Sequence, residues 1–370
     1  MAFNADSLKE FFLKQVILPR MFLVDVPGYV LGSQGSSIFI RNIFLSEPFF
    51  VLLEKKVSDR FGEEGLAKLY GVGKKLGYRF CALTNMPKSD IRFSVKLCYD
   101  FVESIYADRL LPDVDMEDKV ITVDTENLVV TRMNGSGLPV TVGATAGIWG
   151  YFLSSFDSIE CGIIRKSDGN YMLIGAPSEK LKEMGIKFYE SHGTPNMNDR
   201  LIYTRFNQPP HYIPPNAFNT NKMMHTDPFY YDKGPLKYAL PHSRLLSVEI
   251  FLPYELESLF GDQIVYETAK ESFMIIGKNV PKQANAHAYI SDILTGMGYG
   301  IVTSEKGPGT MSFVFSGAPW YDTASTSTFP LFRGAIEGFY EGQGKPPIRA
   351  VLDRSELHNN SLRVVIDIQL

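Results

Sequence analysis

An internal repeat limits the folds that this chain of 370 residues can adopt. Four segments of the first half return in the same order in the second half: Phe61-Gly-Glu as Phe260-Gly-Asp, Tyr70-x-x-x-Lys74 as Tyr266-x-x-x-Lys270, Gly143-x-x-x-Gly147 as Gly334-x-x-x-Gly338, and the strand pair 159–164 and 171–174 as 348–353 and 362–368. One such match is weak, but four in order with a slowly drifting offset indicate a tandem duplication. The sequence therefore predicts one domain at 40–177 and a second copy of it at 244–370.

The two segments outside these copies have a different character. Residues 1–39 predict an N-terminal helix and arm, in which Ser7 caps an amphipathic helix that Pro19 ends. Residues 178–243 begin with a short helix and continue as a stretch rich in Pro, Asn, His and Tyr, without helical or strand periodicity. Because disordered linkers are poor in aromatic residues and this one is rich in them, we predict an ordered linker.

Within the first copy, the apolar spacing changes from helical to strand-like. Residues 49–77 predict two helical pieces separated by a break at Phe61-Gly62, and residues 94–106 predict a third. Strand-like segments then follow at 120–123, 128–131, 158–165 and 171–174, with turns at 124–127 and 166–170. This pattern predicts an α+β fold in which each copy packs helices on one face of a twisted antiparallel sheet.

The glycine-spaced element Gly143–Gly147 has two readings, phosphate binding and helix packing. No G-x-G-x-x-G is present there, and no Lys-Ser/Thr pair follows the glycines as a phosphate loop requires. Glycines four residues apart instead remove side chains from one face of a helix, which allows a second helix or a sheet to approach closely. We therefore predict that this element serves packing.

Composition excludes several function classes. The net charge is −4, and Lys and Arg are scattered, which argues against nucleic-acid binding. No apolar run reaches the roughly 18–20 residues that a transmembrane helix needs. The cysteines Cys81, Cys98 and Cys161 are far apart and odd in number, which favours a reducing cytoplasm over a disulfide framework.

Catalysis and metal binding receive little support from motifs. No G-x-S-x-G nucleophile elbow occurs, so the sequence favours a protein that is not an enzyme and needs no cofactor. A metal site from His211, His225 and His242 stays open, but the histidines lack ligand spacing and favour solvated or packing roles. The carboxylate pairs Glu63/Glu64 and Asp113/Asp115 indicate solvated turns or caps, and Glu337 is either functional or part of an exposed helix face.

The repeated motifs resemble those of a known family. They are Leu-Tyr-x-x-Gly-Lys-x-x-Gly at 69–77, Gly-Tyr-Gly at 298–300, the glycine-spaced helix with its Phe-Arg-Gly at 332–334, and the closing strand pair. Together they resemble the 4-vinyl-reductase-like domain, a small-molecule-binding fold related in architecture to TRAPP-type vesicle-tethering subunits and haem–nitric-oxide sensor domains. The resemblance covers about two thirds of the chain, and it implies that the two copies pair as a pseudo-dimer.

The resemblance also implies an apolar pocket between helices and sheet, often with a cysteine-bound zinc ion. Cys161 matches the first cysteine of that zinc site, but the second cysteine expected near 170–171 is missing. In the second copy Ala350 stands at the position of Cys161, so we predict no metal. Cys161 is then a buried apolar residue. Aromatic residues on the pocket elements are candidate ligand contacts, with core packing as the alternative: Tyr70, Trp149, Phe152, Tyr266, Tyr299, Phe339 and Tyr340.

Three functions remain open after these arguments. The first is a non-enzymatic binding or sensory protein for a small hydrophobic molecule, which acts through a separate protein partner. The second is a structural or assembly subunit that has lost ligand and zinc binding. The third, a tetrapyrrole-related reductase or accessory factor, rests on the family name alone.

Overall fold

The computed structural model describes residues 22–33, 39–128, 138–167, 170–191, 205–209, 217–232, 238–241, 243–282, 285–307, 311–321 and 326–369. The helix predicted after Ser7 lies outside these residues, and so does most of the strand predicted over 128–131. His192, His211 and His242 also lie outside them.

The elements of the first half, in chain order, are β1 (Phe22–Leu23), β2 (Val30–Ser33), β3 (Phe39–Ser46), α1 (Glu47–Leu83), α2 (Ile91–Tyr106), β4 (Arg109–Asp115), β5 (Val120–Glu126), α3 (Leu138–Phe152), β6 (Ile159–Ser167), β7 (Asn170–Pro177) and α4 (Ser178–Glu183). Those of the second half are α5 (Thr220–Met224), β8 (Tyr230–Tyr231), β9 (Tyr238–Leu240), β10 (Ser243–Glu249), α6 (Phe251–Phe260), α7 (Asp262–Asn279), α8 (Ala286–Gly296), β11 (Ile301–Lys306), β12 (Met311–Ala318), α9 (Pro330–Gly342), β13 (Arg349–His358) and β14 (Ser361–Gln369).

The fold is α+β with antiparallel sheets, as predicted. The chain divides into two compact units. The described part of the first unit lies within Leu53–Met197, and that of the second lies within Pro19–Leu52 and Asn198–Leu370.

The first unit contains a four-stranded sheet in the order β4-β5-β7-β6. Trp149 of α3 lies against one face of this sheet, beside Gly175 of β7. On the opposite face, Leu181 of the short helix α4 packs on Ile174 and Ala176. Helices therefore cover parts of both faces, whereas the sequence analysis predicted one.

The second unit contains a four-stranded sheet and a six-stranded one. The four strands have the order β11-β12-β14-β13, which matches the order of the first unit when each strand is replaced by its counterpart along the chain. Phe332 of α9 packs on Phe315 of β12, with ring centroids 4.7 Å apart. The six-stranded sheet has the order β1-β2-β3-β10-β9-β8, so residues of the predicted linker contribute its strands β8 and β9.

Glycines bring two helices of each unit into backbone contact. In the first unit, a Cβ atom built on Gly143 would overlap the carbonyl oxygen of Tyr70, and one built on Gly147 would overlap that of Lys74. In the second unit, Gly334 and Gly338 meet the carbonyl oxygens of the corresponding Tyr266 and Lys270 in the same way. The prediction that the glycine-spaced element serves helix packing is therefore confirmed.

Most helices and closing strands of the first unit lie where the sequence analysis predicted them. Helix α1 breaks at Gly62, whose φ of 58° and ψ of −145° are not helical. The turn predicted over 124–127 is wrong, because β5 continues to Glu126 and pairs with β4, a strand that the sequence analysis missed. Strand β4 lies at the sheet edge, where Pro112 and alternating acids weaken the apolar pattern.

We expect Gly147→Ala to destabilise the first unit, since the added methyl group must separate two backbones. Overpacking of this kind costs about 1–3 kcal/mol. Gly71→Ala on α1 is the matched control, because its Cβ would lie 3.6 Å from the nearest atom, on Ser191. Alanine should stabilise that helix by about 0.5–1 kcal/mol relative to glycine. Urea unfolding followed by Trp149 fluorescence in a Trp320→Phe background checks both changes, and equal effects of the two substitutions would contradict the packing account.

Candidate functional site

A buried polar network joins helix α1 to strand β6 in the first unit. Tyr70 and Lys74 are one helical turn apart, so their side chains project from the same face. The Tyr70 hydroxyl donates to Glu160 Oε2 at 2.6 Å, and Lys74 Nζ donates to Oε1 at 2.8 Å. The backbone N–H of Cys161 donates to the Tyr70 hydroxyl oxygen at 2.8 Å, and that of Ser191 donates to Glu160 Oε1 at 3.3 Å.

Burial changes the proton affinities in this network. Burial raises the pKa of Glu160 and lowers that of Lys74, while the attraction between the two charges opposes both shifts. Burial and the Glu160 carboxylate raise the pKa of Tyr70 well above its ordinary value, so this phenol stays protonated and donates. The side chains of all three residues are almost entirely shielded from solvent. The network therefore serves to hold helix and strand together.

The second unit contains a corresponding network with a displaced carboxylate. Tyr266 of α7 donates to Glu337 Oε2, and Lys270 Nζ lies 3.4 Å from the same oxygen. The backbone N–H of Ala350 on β13 donates to Glu337 Oε1 at 2.8 Å. Glu337 comes from helix α9, whereas Glu160 comes from a strand, so different elements supply the acid in the two units. The prediction that Glu337 belongs to an exposed helix face is wrong, because the residue is only 5% exposed.

The seven predicted ligand contacts are distributed over both cores. Six of them are buried: Tyr70, Trp149, Phe152, Tyr299, Phe339 and Tyr340. Tyr266 is partly exposed. Trp149 Nε1 donates to the carbonyl oxygen of Lys119 at 2.8 Å, and the rings of Tyr299 and Phe332 lie 5.3 Å apart. The structure thus places these residues in packed aromatic clusters, and their role in ligand binding stays a prediction.

A small apolar cavity lies in the second unit, between helices α6, α7 and α9 and strand β3. Its volume is about 10 Å³, which is room for about one water molecule. The walls are largely apolar: Ile43, Pro253, Tyr254, Glu257, Val265, Pro319, Ser327, Phe329, Pro330, Leu331 and Phe332. The seven predicted contacts are absent from this wall, although Tyr299 reaches it through Phe332.

One wall of the cavity is held by a carboxylate. Ser327 Oγ donates to Glu257 Oε2 at 2.6 Å, and the backbone N–H of Thr328 donates to Oε1 at 3.3 Å. The backbone N–H of Phe329 donates in turn to Ser327 Oγ at 2.9 Å. Phe329 is left-handed, with φ 54° and ψ 52°, a conformation that costs a bulky residue about 1–3 kcal/mol. Sequence patterns carry no signal for this wall, because its residues come from separate segments.

The acid pairs are exposed as predicted, but Asp113 lies within strand β4 and not in a turn or cap. Cys161 is buried, and burial raises the pKa of its thiol. Cys81 and Cys98 are buried as well, with Sγ atoms 3.7 Å apart. Glu63, Glu64, Asp113 and Asp115 are exposed.

Of the three histidines of the open metal site, the structure describes His225 alone. Among the described helices, none combines the length and the hydropathy needed to cross a membrane.

Comparison with solved structures shows a remote likeness to a sensory domain. No family model and no curated protein matches the chain. The crystal structure of the phenol-responsive sensory domain of the transcription activator PoxR with phenol is similar at 16% sequence identity, and it covers 51% of this chain and 100% of that domain. The TM-score of this likeness is 0.36.

We expect Lys74→Met to destabilise the first unit by about 3–5 kcal/mol, because the change leaves a buried carboxylate without its counter-charge. Lys68→Met on the same helix is the matched control, since it removes an exposed ion pair with Glu64 and should leave stability unchanged. The double variant Lys74→Met/Glu160→Leu should recover part of the loss. Urea unfolding measures the stability of all three variants. Equal effects of the two single changes would contradict a stabilising role of the buried polar network.

We expect the stability difference between the wild type and Glu257→Gln to depend on pH. Burial raises the pKa of Glu257 above its ordinary 4.5, so the protonated form favours the folded state. Its contribution is complete below about pH 4.5 and is lost as the pH rises through the folded-state pKa. The unfolding free energy of the wild type minus that of Glu257→Gln should therefore fall as the pH rises from 4.5. A pH-independent difference would contradict this environment for Glu257.

Proposed function

We propose that this chain is a non-enzymatic binding protein for a small hydrophobic molecule, with its binding site at the cavity of the second unit. The observation that carries the proposal is the composition of the cavity wall, where aromatic and aliphatic side chains surround one carboxyl group. Small-molecule sites combine an apolar wall with a few fixed polar groups in this way. Glu257 is such a group, because Ser327 and Thr328 fix both of its oxygens.

The left-handed conformation of Phe329 supports the same proposal. Residues in strained conformations persist when the surroundings hold them, and they cluster at ligand-binding sites. Phe329 and Phe332 both line the cavity, and their rings lie 5.4 Å apart. The cavity has room for about one water, so its wall must open further when a ligand enters. Flat aromatic molecules suit a wall of this kind.

We infer that a protein partner receives the signal of ligand binding.

An assembly role is the second candidate, because one row of the first unit's sheet exposes large apolar side chains. This row runs through Leu111, Asp124, Met172 and Ile164 in register. Leu111 is 46% exposed and Ile164 is 37% exposed. Both candidates act without catalysis or a resident metal.

We also infer that the two units are diverged copies of one domain of the 4-vinyl-reductase-like type. Equivalent glycines meet equivalent carbonyl oxygens in both units, which supports the duplication. Cys161 and Ala350 also occupy corresponding places, since the backbone N–H of each joins its unit's buried network. The sheet orders agree as well. The domain limits 40–177 and 244–370 and the pseudo-dimer remain part of this proposal.

Binding can be tested with benzyl alcohol, a small probe with an aromatic body and one polar end. We expect saturable binding that shifts the methyl NMR signals of Ile43, Val265 and Leu331 and leaves that of Ile121 in the first unit unchanged. Val265→Ile adds a methylene to a wall with about 10 Å³ of free space, so it should weaken binding at least tenfold.

The matched control for this test is Val95→Ile, which makes the same change at a buried valine of the first unit. It should leave benzyl alcohol binding unchanged. Binding that Val265→Ile does not weaken would place the ligand elsewhere. The absence of saturable binding at the second unit would contradict the proposed function and would favour the assembly role.

A further inference from the structure

Arg41 on strand β3 is a buried cation without a counter-charge in the described part of the second unit. Its side chain is fully buried. Nη2 donates to the carbonyl oxygens of Gly28 at 3.0 Å and Gly298 at 3.2 Å, and Cζ lies 3.9 Å from the centroid of the Tyr29 ring. Nε and Nη1 have no hydrogen-bond partner among the described residues. Among these residues, three N–H donors therefore lack a carbonyl or carboxylate acceptor, and the Tyr29 side chain is the remaining polar neighbour of the guanidinium.

Arg244 on the neighbouring strand β10 shows what a buried arginine ordinarily requires. It is 2% exposed, and its guanidinium meets Asp232 Oδ2 through Nη2 at 2.8 Å and Nε at 2.9 Å. Burial lowers the pKa of Arg41, but guanidinium keeps its proton in proteins. A buried charge is unfavourable unless an opposite charge or strong acceptors compensate it. Arg41 thus lacks the anion that Arg244 has.

The position of Arg41 connects it to the cavity. Alternate residues of a strand point to the same face, so Arg41 lies on the same side of β3 as Ile43, which lines the cavity. Tyr254 of α6 lines it too, and its hydroxyl donates to the carbonyl oxygen of Pro319 at 2.6 Å. Burial raises the pKa of Tyr254, and the Arg41 guanidinium partly opposes that rise. The cation is therefore within electrostatic reach of the cavity wall.

We propose that Arg41 binds the anionic end of the ligand, and that the ligand is a small organic carboxylate whose apolar body occupies the cavity. This inference rests on the proposed function. One guanidinium matches one negative charge, and charge-assisted hydrogen bonds from Nε or Nη1 to a carboxylate are about twice as strong as neutral ones. Glu257 lies one turn further along α6 than Tyr254, so the polar groups of the wall distinguish the two ends of such a molecule.

The experiment compares sodium benzoate with benzyl alcohol on the full chain at equal ionic strength, using titration calorimetry. The two probes share the aromatic body and differ in charge. We expect benzoate to bind at least tenfold more tightly. Arg41→Met should abolish this preference while benzyl alcohol still binds, and Arg41→Lys should keep part of it. The control Arg349→Met removes an exposed arginine of the same unit and should leave the preference intact.

A second measurement on the wild type keeps the test decisive if Arg41→Met does not fold. The NMR signal of the Arg41 Nε–H should shift with benzoate and stay unchanged with benzyl alcohol. Binding of both probes with equal affinity, or benzoate binding without a shift at Arg41, would overturn the carboxylate inference and leave the proposed function standing. If neither probe binds, both proposals fail.

Discussion

Backbone contact between two helices is the constraint on which each unit depends. Gly143 and Gly147 in the first unit, and Gly334 and Gly338 in the second, meet carbonyl oxygens of the facing helix where no Cβ fits. This approach brings the Tyr-x-x-x-Lys face of that helix close to the closing strands, so its polar side chains are buried in the first unit and partly buried in the second. Burial is tolerated because each tyrosine and lysine finds a carboxylate and each carboxylate finds a backbone N–H.

The origin of that carboxylate differs between the units. Glu160 lies on a strand and Glu337 on a helix, yet both accept from a tyrosine and approach a lysine at equivalent positions. The physical requirement is one negative charge beside a wholly or partly buried lysine, and either neighbouring element can supply it. Both networks therefore stabilise the packing of their units, whereas Arg41 has no carboxylate partner among the described residues and is free to meet an anionic ligand.

The sequence predicted the architecture better than the site. Glycine spacing and apolar periodicity located the break at Gly62 and the helix pair, because backbone sterics act locally. The edge strand β4 was missed because Pro112 and its acids obscure the alternation. The internal repeat pointed to Lys74, because Lys270 stands at the same position in the second copy. It did not point to Glu160, because Arg349 stands at the corresponding position there. The wall around Glu257 joins residues distant in sequence, so periodicity carries no information about it.

The ligand assigned to the second unit is a small carboxylate, with its charged end at Arg41 and its apolar body in the adjoining cavity. Native mass spectrometry of the purified full chain, compared with the same sample after denaturation, would detect this ligand. We expect an added mass on the folded protein. Denaturation should release it as a small organic acid, and Arg41→Met should reduce its occupancy. Full occupancy by a molecule without an acidic group, unaffected by that substitution, would contradict the assignment of a carboxylate.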